Sequence, residues 1–315
     1  MSKSEILESI PCPICGNDEL QTLSKSGQFD LPCHVSICPS DGFVFLSPRW
    51  SKDRYMHFYQ NEYDSVYRPT VYSNESNDSK FLNIKTICTR LESLNLIEGK
   101  ESVLDIGAGM GWSLQWLKQN YNHFQRFSAI ESSKYCAANL KDVIGARVIS
   151  NDIDTDWKST GFDFVIMRHV LEHFMNPVEA LNKVAKNISE DGIVYIAVPD
   201  MMNPKGSLIN YWFRSVHTFY FSEKTLASIA SLANLQVIEI GCENHELWGV
   251  FKKVTSSTQR ENIENVYGDQ IRVIKDQQRK TVLLDSRARV TKLFSYMLPR
   301  RIKSWLKSYY LKLKV

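Results

Sequence analysis

The sequence predicts an α/β fold in which a doubly wound, mostly parallel sheet follows a small Cys-rich module and precedes a helical extension. Three observations carry this. Between residue 102 and about residue 254, short apolar runs alternate with amphipathic stretches, the order that strand–helix–strand units require. Four of the seven cysteines, Cys12, Cys15, Cys33 and Cys38, crowd the N-terminal end. Beyond Asp285 the chain turns basic, with apolar residues at helical spacing on either side of Pro299.

At 315 residues, 43% of them hydrophobic, the chain can fill the core of an α/β domain of about 200 residues and still carry appended units. Residues 1–50 read as the Cys-rich leader, its turns marked by PCPICG, LPC and CPSDG, and too short to fold on a core alone. Residues 51–80 connect it onward through the aromatic RYMHFYQNEYDSVYR and the polar YSNESNDS. Residues 81–254 form the sheet domain. In it Phe81, Ile84, Ile87, Leu91 and Leu94 place a helix that ends near Glu98 and Gly99. Strands are expected at 102–106, 127–130, 147–149, 162–167 and 193–198. Asn176 suits a cap and Pro177 a first turn, for a helix with Leu181, Val184, Ala185 and Ile188 on one face. Another helix begins at Ser222, and GCENHE joins strands 235–240 and 247–254 into an antiparallel hairpin at the sheet edge. Residues 255–315 are the basic helical extension.

The net charge of +3 hides an asymmetry. Nine Lys and Arg follow Asp285 with no acid among them, so residues 1–285 carry −6, the difference between +3 and +9. An acidic body gives no reason to expect nucleic-acid binding. The basic extension suits an interfacial helix on an anionic membrane, or packing against its own domain or a partner. No stretch approaches the ~18 apolar residues of a membrane span, and MSKSEILESI lacks the apolar run of a signal peptide. The expectation is a cytoplasmic protein, where clustered cysteines suit a metal better than disulfides.

The first expected strand runs into Gly107-Ala108-Gly109-Met110-Gly111, a turn that lets a ligand approach the backbone at a helix N-terminus. A dinucleotide fingerprint would need a third glycine where Trp112 stands. Three acids follow successive strands: Asp105, Glu131 and Asp152. Glu131 suits ribose hydroxyls, Asp152 with Ile153 suits an adenine, and Asp105 suits the turn or an amino group. Each could instead cap the helix after its strand.

VLDIGAGMGW, AIESS, NDID, FDFVIMRHVLEHFMNPVEAL, ISEDGIVYIAVPD and HTFYFSEKTLASIASLANLQV resemble, in order and spacing, the successive motifs of class I S-adenosylmethionine-dependent methyltransferases of the broad type 11/12 group. The resemblance covers roughly residues 80–250. It implies a seven-stranded Rossmann-like sheet, with Gly107, Ala108, Gly109 and Gly111 around the methionine part of the donor, Glu131 on its ribose and Asp152 on its adenine. Asp191 stands where the family usually has a second glycine, a tight-turn position.

Methyl transfer from a sulfonium is an in-line displacement, so the protein must align the acceptor and, where needed, take its proton. Arg168, His169, Glu172 and His173 fall where the fourth strand would meet the cofactor. His217 is the first candidate for a base, because related enzymes often carry a histidine before an F-S-x-x-x-L helix start, and His173 is the second. Both could instead be structural. Cys12-Pro-Ile-Cys15-Gly is a knuckle in which two thiolates can bind zinc. The N-terminal 65 residues are similar to the zinc-binding leader of certain sugar methyltransferases, with Cys38 and Asp41 on the second pair of ligand positions. The fourth ligand is left open between Asp41, Cys33 and His34. In those sequences the leader lies over the substrate, so Tyr59, Tyr63 and Tyr67 could stack on a sugar or pack between units.

The reading that results is a methyltransferase acting on a nucleotide sugar or a glycan of surface polysaccharide, with S-adenosylmethionine and a structural Zn2+. Its alternatives are methylation of a small-molecule or lipid intermediate such as a quinone precursor, and a nucleic-acid-binding zinc module with a donor-sensing domain.

Overall fold

The structure is a computed structural model and describes residues 7–63, 66, 77–152, 157, 159–254 and 264–297. The leader contributes β1 (Leu7–Glu8), β2 (Gln21–Ser26), β3 (Pro32–Ile37), β4 (Val44–Leu46) and β5 (Arg49–Trp50), followed by helices α1 (Lys52–Asn61) and α2 (Asn77–Ser93). The large domain continues with β6 (Ser102–Ile106), α3 (Trp112–Asn120), β7 (Arg126–Ile130), α4 (Lys134–Asn139), β8 (Arg147–Ser150) and β9 (Phe162–Arg168). Then come α5 (Pro177–Asn187), β10 (Ile188–Pro199), β11 (Phe219–Tyr220), α6 (Glu223–Leu232), β12 (Leu235–Glu243), β13 (Glu246–Lys253) and α7 (Tyr267–Met297).

Seven strands form the main sheet in the order β12-β13-β10-β9-β6-β7-β8. β6 to β10 are parallel, and β13 enters antiparallel beside β10. The strands are apolar on both faces, as a sheet covered on both sides requires. Leu104, Ile106, Val165, Met167, Ile196 and Val198 pack one face against α5 and α6 through Leu181, Val184, Leu226 and Ile229. Val103, Phe164, Ile166, Ile193 and Tyr195 pack the other against Ile84, Leu91, Leu114 and Leu117 of α2 and α3. Burying each such aliphatic side chain contributes about 1.5–3 kcal/mol. Asn176 caps α5, its side chain accepting from the Glu179 amide at 3.1 Å, with Pro177 in the first turn.

The chain lays β7 and β8 on one side of β6, then crosses back to lay β9 and β10 on the other. The strand order reverses between β6 and β9, so a crevice opens at their C-terminal ends, where open α/β sheets bind ligands. A second, four-stranded antiparallel sheet runs β11-β4-β3-β2. Its edge strand β11 comes from the large domain, and Phe43, Phe45, Cys12 and Cys38 of the leader share the core beneath the main sheet.

Two expectations need correction. The helix read through Glu98 stops at Ser93, because Asn95 takes a left-handed φ of 56° that no helix continues through. The hairpin is tighter than six connecting residues suggest. β12 and β13 extend to Glu243 and Glu246, and the turn between them is Asn244-His245 with φ of 50° and 69°, the two-residue kind that matches strand twist. Among the described residues no helix is long and apolar enough to cross a membrane. Most of the basic extension's side chains, and Tyr67 and Ile153, lie outside the described residues.

Candidate functional site

The glycine turn follows β6 with all three glycines left-handed, φ being 73° at Gly107, 54° at Gly109 and 78° at Gly111. A side chain at Gly111 would meet Leu140 Cδ2 at 2.6 Å, so the start of α3 is packed close to the next layer. At Gly109 a Cβ would meet no described residue within 4 Å, which leaves room among them beside the turn. The turn is pinned from β7: the Gly107 amide donates to the Ile130 carbonyl at 2.8 Å. Glu131, 8% exposed, accepts from the amides of Gly109 and Ser133, both at 2.7 Å. Asn139 Nδ2 holds the Met110 carbonyl at 2.9 Å.

Asp105 is buried at the end of β6. Burial and the nearby Glu131 charge push its carboxyl up to about 8, against the pull of a Ser113 hydrogen bond and of Arg168. An ammonium bound in the crevice would favour the ionised form of such a carboxyl. Asp152 is half-buried just beyond β8, its amide donating to Ser150 Oγ at 3.1 Å. These carboxylates and the open glycine turn fit the amino, ribose and base parts of a nucleoside-type methyl donor.

Opposite the turn, at the end of β9, the chain makes a charged network. His169 has a φ of 51°, and its Nε2 lies 2.7 Å from Glu246 Oε2, which also accepts from Arg168 Nη2 at 2.7 Å. Burial opposes charge on His169, but Glu172 and Glu246 on either side outweigh it and raise the ring to about 9. The single 3-10 turn Leu171–His173 then presents Glu172 and His173. Glu172 is 1% exposed; His169 Nδ1 is 3.4 Å from its Oε1, and among the described residues neither carboxylate oxygen has a well-formed hydrogen bond. His173 Nδ1 lies 2.7 Å from the Val216 carbonyl and 3.2 Å from the Tyr59 hydroxyl. His217 stands edge-on to His173 with ring centroids 5.0 Å apart, and burial, reinforced by His173 and Arg214, holds it well below the usual imidazole range. The two candidate bases thus share one site, with the Tyr59 hydroxyl beside His173 Nδ1. Glu246 was not singled out in the sequence; an acid at the first position of the last hairpin strand was the only available signal.

The leader gathers a second constellation. One ligand atom each from Cys12, Cys15, Cys38 and Asp41 lies within 4.8 Å of the others. Cys12 Sγ is 3.1 Å from Asp41 Oδ2, and Cys15 Sγ is 3.5 Å from Cys38 Sγ. Tetrahedral zinc with Zn–S bonds of ~2.3 Å spaces its sulfurs by ~3.8 Å. Two knuckles of one design supply the four. Gly16 donates to the Cys12 carbonyl and Gly42 to the Cys38 carbonyl, each at 2.8 Å, with φ of 78° and 84°. CPSDG therefore folds as CPICG does, with Asp41 in the place of Cys15. Burial and Asp41 raise the Cys15 thiol to about 12, and Cys12 is raised further. A divalent cation is the partner that would allow these sulfurs to ionise. Cys33 and His34 are not among the four. Cys33 is buried in another cluster with Val35, Leu208 and Trp212, and burial raises its thiol to about 12.

Residues 82–240 match a protein family described as a methyltransferase domain. No curated protein sequence matches the chain. Among solved structures, the plantazolicin methyltransferase BpumL, crystallised with a monoazolic desmethylPZN analogue and S-adenosylhomocysteine, is 14% identical with a TM-score of 0.50, over 63% of this chain and 93% of that one. A protein from Pyrococcus horikoshii is 16% identical with a TM-score of 0.46, over 61% and 99%. An S-adenosylmethionine-dependent methyltransferase from Clostridium acetobutylicum is 12% identical with a TM-score of 0.45, over 64% and 98%. At these identities the likeness is one of fold.

Proposed function

The chain belongs to the methyltransferase-domain family and is an S-adenosylmethionine-dependent methyltransferase; from that premise we propose that its acceptor is a sugar hydroxyl, on a nucleotide sugar or a glycan destined for surface polysaccharide. The observation that carries this reading is the pairing of His173 with His217 beside Tyr59. A sugar hydroxyl is a weak nucleophile that needs its proton removed, and two adjacent imidazoles kept neutral by burial supply that, as a base or as ligands of an ion that acidifies the hydroxyl. Tyr59 and Tyr63, ring centroids 5.3 Å apart, offer an aromatic wall of the kind sugars stack on.

On this reading Gly107, Ala108, Gly109 and Gly111 hold the amino-acid end of the donor with Asp105 toward its ammonium. Glu131 takes the ribose hydroxyls and Asp152, with Ile153, the adenine; Arg168 and His169 close that wall. The donor supplies an electrophilic methyl, and the chain supplies alignment: the acceptor oxygen lies in line with the carbon–sulfur bond, and water is kept from it. Zinc on Cys12, Cys15, Cys38 and Asp41 would hold the leader that forms the acceptor side.

The test is transfer from labelled donor to a panel of nucleotide sugars and lipid-linked glycans, with phenolic quinone precursors as the competing class. Label on at least one sugar supports the proposal; label on phenols alone overturns it. His217→Ala and His173→Ala should each lower kcat by ~10²–10⁴-fold while leaving S-adenosylhomocysteine binding intact.

A further inference from the structure

Among the described residues two groups bring three or more metal-ligating side chains together. One is the cysteine knuckle pair, and the other is Glu172, His173 and His217, whose ligand atoms also lie within 4.8 Å of one another. We propose that Glu172, His173 and His217 form a second metal site, which holds a divalent first-row transition-metal ion on the acceptor side of the crevice with coordination positions left for a hydroxylated acceptor.

Four features of the site point to a cation. Glu172 is 1% exposed, yet among the described residues neither of its oxygens accepts a well-formed hydrogen bond. The His169 ring 3.4 Å away is shared with Glu246, to which it is closer. That ring, raised in part by its contact with Glu172, matches the Glu172 charge only partly, and a buried carboxylate so placed gains from a further cation. Next, His173 has its tautomer fixed from behind. Nδ1 donates to the Val216 carbonyl at 2.7 Å, which leaves the lone pair on Nε2, the nitrogen 3.9 Å from Glu172 Oε1. A backbone carbonyl on the far nitrogen is the usual support of a metal-bound imidazole. Third, the frame is rigid. Thr218 donates from both its amide and its hydroxyl to the Glu172 carbonyl, at 2.7 and 2.8 Å, and so ties the His217 segment to the turn that carries the other two ligands. Fourth, the site adjoins the cofactor turn: Val170 Cγ2 stands 3.0 Å from where a Cβ of Gly107 would be.

Two nitrogens and one carboxylate suit zinc, cobalt, manganese or iron better than magnesium or calcium, which prefer all-oxygen shells. Three protein ligands leave open positions, as in catalytic sites. A hydroxyl oxygen bound there loses its proton to solvent more readily. The resulting oxygen forms the new bond to the methyl carbon, the carbon–sulfur bond breaks, and S-adenosylhomocysteine leaves; the ion keeps its oxidation state. His173 and His217 then serve as ligands, and coordination rather than proton abstraction by a ring activates the oxygen.

The proposal goes beyond the choice of acceptor and is tested without one. Full-length chain stripped of metal and given one equivalent of zinc, which the cysteine knuckles take first, is titrated with Co2+ and read by visible absorption. One further equivalent should bind with d–d bands and no sulfur-to-cobalt charge transfer, and Glu172→Gln and His217→Asn should weaken it by ~10–100-fold while S-adenosylhomocysteine still binds. A second measurement needs no variant. In the Cu2+-loaded wild type, pulsed EPR should detect the remote nitrogens of two imidazoles. Absence of Co2+ uptake, uptake unchanged in both folded variants, or a copper centre without imidazole overturns the assignment. An empty sugar panel with normal Co2+ binding leaves it standing and overturns only the acceptor.

Discussion

Phe43 stacks on Phe219, ring centroids 5.7 Å apart and planes 5° from parallel, so the residue two places after Asp41 is packed on the residue two places after His217. Phe45 and Phe221 complete the cluster, and β11 is the fourth strand of the leader's sheet. The cysteine knuckles and the segment that carries His217 are thereby one packed unit. Phe219→Ala should cost about 3–5 kcal/mol of stability by urea denaturation, as for other large-to-small core changes. It should also cost more turnover than donor affinity, since Phe219 lies on the acceptor side. Equal losses in both would mean that the stack only supports the fold.

The same coupling predicts the effect of the knuckle ligands. Metal analysis of the purified chain should find about one tightly held zinc, lost in Cys38→Ser and weakened in Asp41→Ala. Asp41 also accepts from the Phe43 amide at 2.9 Å, so its replacement should lower the melting temperature even of metal-free protein. Cys33→Ser should leave the zinc content unchanged, because Cys33 sits in a different core cluster. Zinc-free wild type with an unaltered melting temperature would refute the structural role.

These couplings mark the limit of what the sequence could disclose. The parallel strands were legible because both of their faces are buried and they read as apolar runs: VLDI, FSAI and FDFVIM need no partner to be recognised. The α5 start was legible because Asn176 and Pro177 act locally. The resemblance to a zinc-binding leader left Asp41, Cys33 and His34 open for the fourth position, and the fold brings Asp41 rather than the other two beside Cys12, Cys15 and Cys38. What escaped was everything made by residues distant in sequence with no local signature. β4 pairs with β11 across some 170 positions, the register being Val44 with Tyr220. Glu246 reaches Arg168 and His169 from a hairpin that reads as a plain edge element. Val216 fixes the His173 tautomer through a backbone carbonyl, which any residue there could provide.

Glu131 links the two halves of the cofactor crevice before any donor arrives. Its two oxygens hold the amides of Gly109 and Ser133, which lie on the turns after β6 and β7. Glu131→Gln keeps the shape but loses the charge and an acceptor for one of these bonds. Affinity for S-adenosylhomocysteine should fall ~10–100-fold by calorimetry, the scale of one or two hydrogen bonds to a charged group. The melting temperature of the ligand-free protein should fall as well. A variant that binds the ligand as the wild type does would remove Glu131 from the donor site.

Asp105 predicts a pH dependence whose sign follows from its environment. Burial, then the Glu131 charge, raises its carboxyl from 3.8 to about 8, so the fold favours the neutral acid. That contribution to stability is complete below the ordinary carboxylate value and is lost as pH rises through about 8. Ligand-free wild type should therefore lose melting temperature relative to Asp105→Asn between about pH 4 and about pH 8 and change little above that. Donor binding should run the other way. An ammonium in the crevice pairs with the ionised carboxylate, so below about 8 the site must release a proton to bind it. Affinity for S-adenosylhomocysteine should then climb by up to ~tenfold per pH unit toward that value and level off above it. Calorimetry in buffers of different ionisation enthalpy should detect the released proton. In Asp105→Asn the affinity should be lower and nearly flat with pH over the same range. A wild-type affinity that is equally flat, with no proton released, would place the ligand's ammonium away from Asp105 and leave the glycine turn to hold that end of the donor through backbone amides alone.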